Sequence, residues 1–195
     1  MNRYVIAVRR WWTVPMTLVS LVLVCGTVGT SMVPVPSLTG SMGGAQLAYF
    51  TPVLIVVAVM YCMERRLQQA ESTAVVPIRL FDCAALALTA LLAHVAGLVV
   101  GMDVARNIML LLALAVVARR LANEATAAAA GLLFLILNLI LGRAYDAAGH
   151  GAHTWWAIAL YPADSTGAWL FTVLLFALAL VLSGLGNGRG SAHAR

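Results

Sequence analysis

The side chains here that could do chemistry are few, and they form no catalytic set. His150 and His153 stand three apart near Asp146, a spacing that could hold a metal weakly, but histidines among glycines read first as solvated groups. Cys25, Cys62 and Cys83 make no CxxC and no Cys/His cluster, so they read as small apolar packing residues. Zinc hydrolysis would need HExxH, and an acyl-transfer serine would need GxSxG; neither occurs. A Walker A loop needs a lysine, and the chain has none. The segment MERRLQQAE holds single glutamates and no paired acid. The expectation is a chain that is not an enzyme and carries no cofactor and no metal.

His94 and Asn138 are the polar residues set deepest in apolar runs. An unpaired polar group in hydrocarbon is costly, so both should face other helices. There they would serve as interhelical hydrogen-bond glue or line a path. Haem ligation by His94 lacks a second histidine within an apolar run. Asp82 and Asp103 fall only near the ends of apolar runs, so the buried acids of ion-coupled transporters are missing.

The elements that must position these residues are apolar runs at about 13–33, 46–63, 80–101, 104–118, 125–142 and 166–185, each near the length of about 20 residues that spans a bilayer. The chain is 63% hydrophobic and 10% charged, well below the roughly 25% charge of soluble domains. Arg3, Arg9, Arg10, Arg65, Arg66, Arg79, Arg119, Arg120, Arg189 and Arg195 fall in alternate segments on one side of this pattern. Only Arg106 and Arg143 fall on the other. Positive residues stay on the cytoplasmic side. The expected fold is an all-α integral membrane bundle of six transmembrane helices in the cell membrane, with both termini cytoplasmic. The net charge of +5 then serves anionic membrane lipid along the inner rim and does not point to nucleic acid.

The connecting segments carry further expectations. Residues 1–12 read as an interfacial amphipathic helix with Trp11 and Trp12 at headgroup level. Residues 34–45 form an uncharged Pro/Gly/Ser outer loop. Residues 64–79 make the longest inner loop, helix-forming until Pro77. The outer segment 143–164 contains TWWAIALY, apolar but too short to span, which predicts a surface or re-entrant helix. The glycine-rich stretch 186–195 reads as a disordered tail. Arg106 shortens the fourth span unless it snorkels outward. Ala93, Gly97 and Gly101 form a stripe of small residues that lets another helix approach closely.

On the segments NRYVIAVRRWW, ERRLQQAESTA and HTWWAIALYPADS, the layout resembles the membrane subunit of exporter-type ABC transporters, the type-2 permease family. ARNIMLLLALAVVARRL is similar to small actinobacterial permease-like membrane proteins. The resemblance implies a permease that pairs with itself or a similar subunit and is powered by a separate ABC ATPase chain. It places Glu64, Arg65, Leu67 and Glu71 on the coupling surface for that ATPase. The alternative is a non-transporting accessory, immunity or assembly protein of the membrane. A path with few polar groups would suit a lipid-like or amphipathic molecule.

Overall fold

The structure, a computed structural model, describes residues 10–36, 42–64, 78–145 and 151–185. Among them are six α-helices: α1 (Thr13–Val28), α2 (Pro52–Glu64), α3 (Ile78–Val100), α4 (Met102–Leu121), α5 (Glu124–Leu141) and α6 (Thr166–Leu185). Two antiparallel hairpins join them, β1 (Met32–Pro36) with β2 (Met42–Gln46), and β3 (Arg143–Tyr145) with β4 (Gly151–His153). Single 3-10 turns occupy Leu47–Tyr49 and Ile158–Leu160. Leu47–Glu64, Leu80–Val100 and Thr166–Gly184 are long and apolar enough to cross a membrane. The apolar helices α1 and α5 are shorter, and α4 carries Asp103 and Arg106 near its start and Arg119 and Arg120 in its last turn.

α4 is the axis of the bundle. α2, α3, α5 and α6 each pack against it, and α1 packs across α2 and α3. Neighbour by neighbour, the order around α4 is α5, α2, α1, α3, α6. The ring does not close, because α5 and α6 scarcely meet. Residues 104–113 of α4 are buried without a break, as expected of a helix packed by neighbours around most of its circumference. This accounts for a helix less apolar than its neighbours at the centre: it meets protein around most of its circumference.

Small residues set the α3–α4 seam. A Cβ added to Gly97 would stand 2.7 Å from the Cβ of Ala105. The stripe containing Ala93 and Gly97 therefore brings α4 close within the same chain. Gly101 has φ +135°, which side chains rarely tolerate, and this lets α3 turn into α4 across one residue. On α5, Asn123 caps the helix, accepting from the Thr126 amide at 2.8 Å and the Thr126 hydroxyl at 2.9 Å.

The arginine-rich end of the bundle is tied by side chains to helix ends. Arg119 Nη2 donates to the Met63 carbonyl at 3.0 Å, and Arg120 donates to the Leu182 carbonyl. Arg10 Nη1 donates to the Tyr61 hydroxyl at 2.8 Å. Cations at helix C-termini satisfy the last carbonyls and suit the helix dipole. At the opposite end, Arg143 Nη2 donates to the Gly44 carbonyl at 2.9 Å and joins the two hairpins.

Two connections differ from expectation. The 34–45 stretch, read as a loop, contributes Pro34 and Pro36 to a paired strand. A two-stranded ribbon has open edges, where a proline without an N–H does little harm. Around TWWAIALY the chain makes a turn and one 3-10 turn rather than an α-helix. Most of the interfacial segment (1–9), the inner loop from 65 to 77 and the tail 186–195 lie outside the described residues. So do Arg65, Leu67, Glu71, Asp146 and His150.

Candidate functional site

The break in the ring forms an apolar groove of about 490 Å³, within the size range of small-molecule sites. Leu110 and Leu114 of α4 make its floor. Phe134 of α5 forms one wall, and Ala168, Phe171 and Leu175 of α6 form the other. Each set follows helical spacing: 110 and 114 lie one turn apart, and 168, 171 and 175 share one face. Trp155, Trp156, Ile158 and Tyr161 close the hairpin end.

The groove is polar at one end only. Its deep end, at Leu114 and Leu175, is aliphatic, whereas the hairpin end is lined by Tyr161, Ser165 and the two tryptophans. Trp155 is 85% exposed and stands out at the rim.

Directly behind that cap lies Arg106. It is 0% exposed, so it does not take the outward route to water that would lengthen the fourth span. Instead, the backbone comes to the guanidinium. Nη2 donates to the Tyr161 carbonyl at 2.6 Å and, at 3.5 Å, to the Ala159 carbonyl and Asn107 Oδ1. Nη1 donates to the Pro162 carbonyl at 2.9 Å. Asn107 Nδ2 adds a bond to Ala159 at 3.1 Å. Carbonyls aimed sideways at Arg106 and Asn107 are not available along a helix axis, which explains the 3-10 turn. Arg106 Nε is buried with no partner. Among the described residues, no carboxylate pairs with this arginine.

The cap also rests on α5. Thr154 donates to the Gly142 carbonyl from its amide at 2.9 Å and from its hydroxyl at 3.2 Å. A Cβ on Gly142 would lie 2.5 Å from that of Ala157, so glycine is what lets the segment lie on the helix end.

The residues singled out in the sequence lie elsewhere. His94 is half-buried between α3 and α6, its ring 5.4 Å from that of Trp169. Its Nδ1 lies 2.7 Å from the Ala90 carbonyl of its own helix. Asn138 is 0% exposed and donates to the Phe134 carbonyl at 2.9 Å, again on its own helix, while its Oδ1 has no partner. Both face protein, but neither lines the groove, and α3 and α5 are not neighbours in the ring. Glu64 is exposed at the end of α2. Cys25 and Cys62 sit at the α1–α2 seam, with Cys25 Sγ 3.3 Å from Thr51 Oγ1 and Cys62 Sγ 3.2 Å from Thr13 Oγ1. No cluster of three potential metal ligands occurs among the described residues.

Sequence reasoning missed Asn107, Phe134 and Phe171. The adjacent polar pair Arg106-Asn107 in an apolar run was an available signal. The aromatic walls had none, because their spacing is that of any apolar helix. No known protein-family model matches the chain, and no curated protein or solved structure is found similar to it.

Proposed function

We propose that the protein is a six-span membrane protein with both termini cytoplasmic, and that the groove between α5 and α6 holds a lipid-like amphipathic molecule. The arginine distribution supports the orientation. Exposed Leu91, Val95, Leu98 and Val99 on α3, and Leu170, Leu174, Leu178 and Val181 on α6, supply apolar surface suited to acyl chains. The observation that carries the binding reading is the groove itself, open between two helices at bundle depth and polar only at the hairpin end.

The test uses a variant that fills the groove. A Cβ on Gly167 meets nothing within 4 Å, so Gly167→Leu adds bulk where there is room. A lipid-like fluorophore should bind the detergent-purified wild type and bind Gly167→Leu several-fold more weakly. Equal binding would remove the groove from consideration.

Within this reading, the permease role is the functional form favoured by the chain's layout. A separate ATPase would meet the inner loop beginning at Glu64, and two such subunits would pair. Glu64→Arg combined with Leu67→Asp should abolish co-purification of the ATPase while membrane insertion stays intact. A chain that binds amphiphile but recruits no ATPase would instead be the non-transporting accessory protein.

A further inference from the structure

We propose that the occupant of the groove is an anionic lipid of the surrounding bilayer, and that the buried charge of Arg106 selects its headgroup. This rests on the groove-binding reading above. The argument begins with the partners of Arg106. All those seen among the described residues are neutral: the carbonyls of Ala159, Tyr161 and Pro162, and the amide oxygen of Asn107. Carbonyl dipoles orient a guanidinium, but they do not cancel its charge. The residue is fully shut from water and Nε has no partner. A charge in such a place acts over a long range, because little water screens it.

The position of that charge relative to the groove decides the class of ligand. Arg106, Leu110 and Leu114 lie on one stripe of α4, so the guanidinium stands beyond the hairpin end of the floor. Leu114 is about 12 Å further down the axis. Tyr161 connects the two features: it lines the groove, and its carbonyl accepts the shortest Arg106 bond, at 2.6 Å. α6 also begins at this mouth, with no acidic residue in its first turn, so its N-terminal dipole adds the same sign. Asp103 and Asp164 carry the opposite sign nearby, but both are exposed, where water and salt weaken their fields. The net result is an aliphatic slot with a positive end, which fits a chain with a negative head.

The test is competition in vesicles. The full-length protein is reconstituted in phosphatidylcholine containing a trace of chain-spin-labelled phosphatidylcholine. Unlabelled phosphatidylglycerol or phosphatidylcholine of identical chains then competes for the immobilised label. Arginines elsewhere also attract anionic lipid, so only the component lost in Gly167→Leu is counted. For that component, phosphatidylglycerol should compete roughly tenfold better in the wild type. Arg106→Gln should flatten the preference and Arg106→Lys should keep it. Equal competition in the wild type overturns charge selection and leaves lipid binding in the groove standing. A preference that survives in Arg106→Gln overturns the role of Arg106. A bound component unchanged by Gly167→Leu overturns both the selection and the groove. If Arg106→Gln does not fold, the wild-type comparison still decides whether selection exists, and Arg106→Lys decides whether charge at this position maintains it.

Discussion

The two sides of α4 treat space in opposite ways. Toward α3, Gly97 and Ala105 meet so closely that an added Cβ would be only 2.7 Å from its neighbour. Toward the α5–α6 gap, Gly167 could take a Cβ with nothing within 4 Å. Both glycines belong to apolar helices and look alike in the sequence. One is required because two helices touch; the other lies where two helices stay apart. The gap stays open because α5 and α6 each follow α4, while Phe134 and Phe171 present bulk across it rather than a small-residue seam.

The change expected to break this contrast most strongly is at Arg106. Arg106→Leu removes the guanidinium bonds to the carbonyls of Tyr161 and Pro162, leaving Pro162 the Ser165 amide, and leaves Ala159 the amide of Asn107. Removing a buried polar partner costs more than relief of the charge returns, so a loss of about 3 kcal/mol is expected. Thermal unfolding in detergent would measure it, and protease cleavage within 154–162 should appear at lower temperature than in the wild type.

The glycine pair comes next. Gly97→Leu overpacks the closed seam and should destabilise by about 2 kcal/mol or more. Gly167→Leu should stay within about 0.5 kcal/mol of wild type, as at sites without tight neighbours. Similar unfolding temperatures for the two variants would erase the distinction between the closed and open sides.

Asn107→Leu removes one bond to Ala159 while Arg106 still holds the cap, so about 1 kcal/mol is expected from the same measurement. The smallest effect belongs to Asn138→Leu. Its Oδ1 is already buried without a partner, so an apolar replacement of similar size should be neutral within about 0.5 kcal/mol. A large loss there would reveal a partner that the present geometry does not account for.

The helices themselves were mostly legible, because continuous apolarity marks each of them. The last was expected at 166–185 and is found at Thr166–Leu185; the fifth was expected at 125–142 and is found at Glu124–Leu141. Asn123, Gly101 and Pro52 punctuate the chain as their backbone chemistry requires. The order around α4 was not legible. When every face is apolar, period alone cannot say which face meets which neighbour, so neither the open ring nor its groove could be read. The small-residue stripe on α3 announced a close approach without naming α4 as the partner. Arg106 stood out as shortening the fourth span unless it reached water, and its partners could not be read, because they are backbone carbonyls and a carbonyl has no sequence signature. His94 and Asn138 drew attention by their type, but His94 Nδ1 and Asn138 Nδ2 each meet a carbonyl one turn back on their own helix.

The bond between Arg106 and Ala159 spans 53 residues, and that separation has a consequence in time. At synthesis rates of 5–20 residues per second, roughly 3–10 s pass between the emergence of α4 and that of the carbonyls that receive its guanidinium. On the proposed six-span reading, the hairpin of α3 and α4 would during that interval hold a cation that hydrocarbon disfavours. The bundle therefore assembles around an unfinished centre and is completed by its last third. A chain stopped after residue 145 should leave α4 poorly retained in the membrane, and a later supply of 146–195 as a separate fragment should restore it. Glycosylation tags placed beside α4 would read both states.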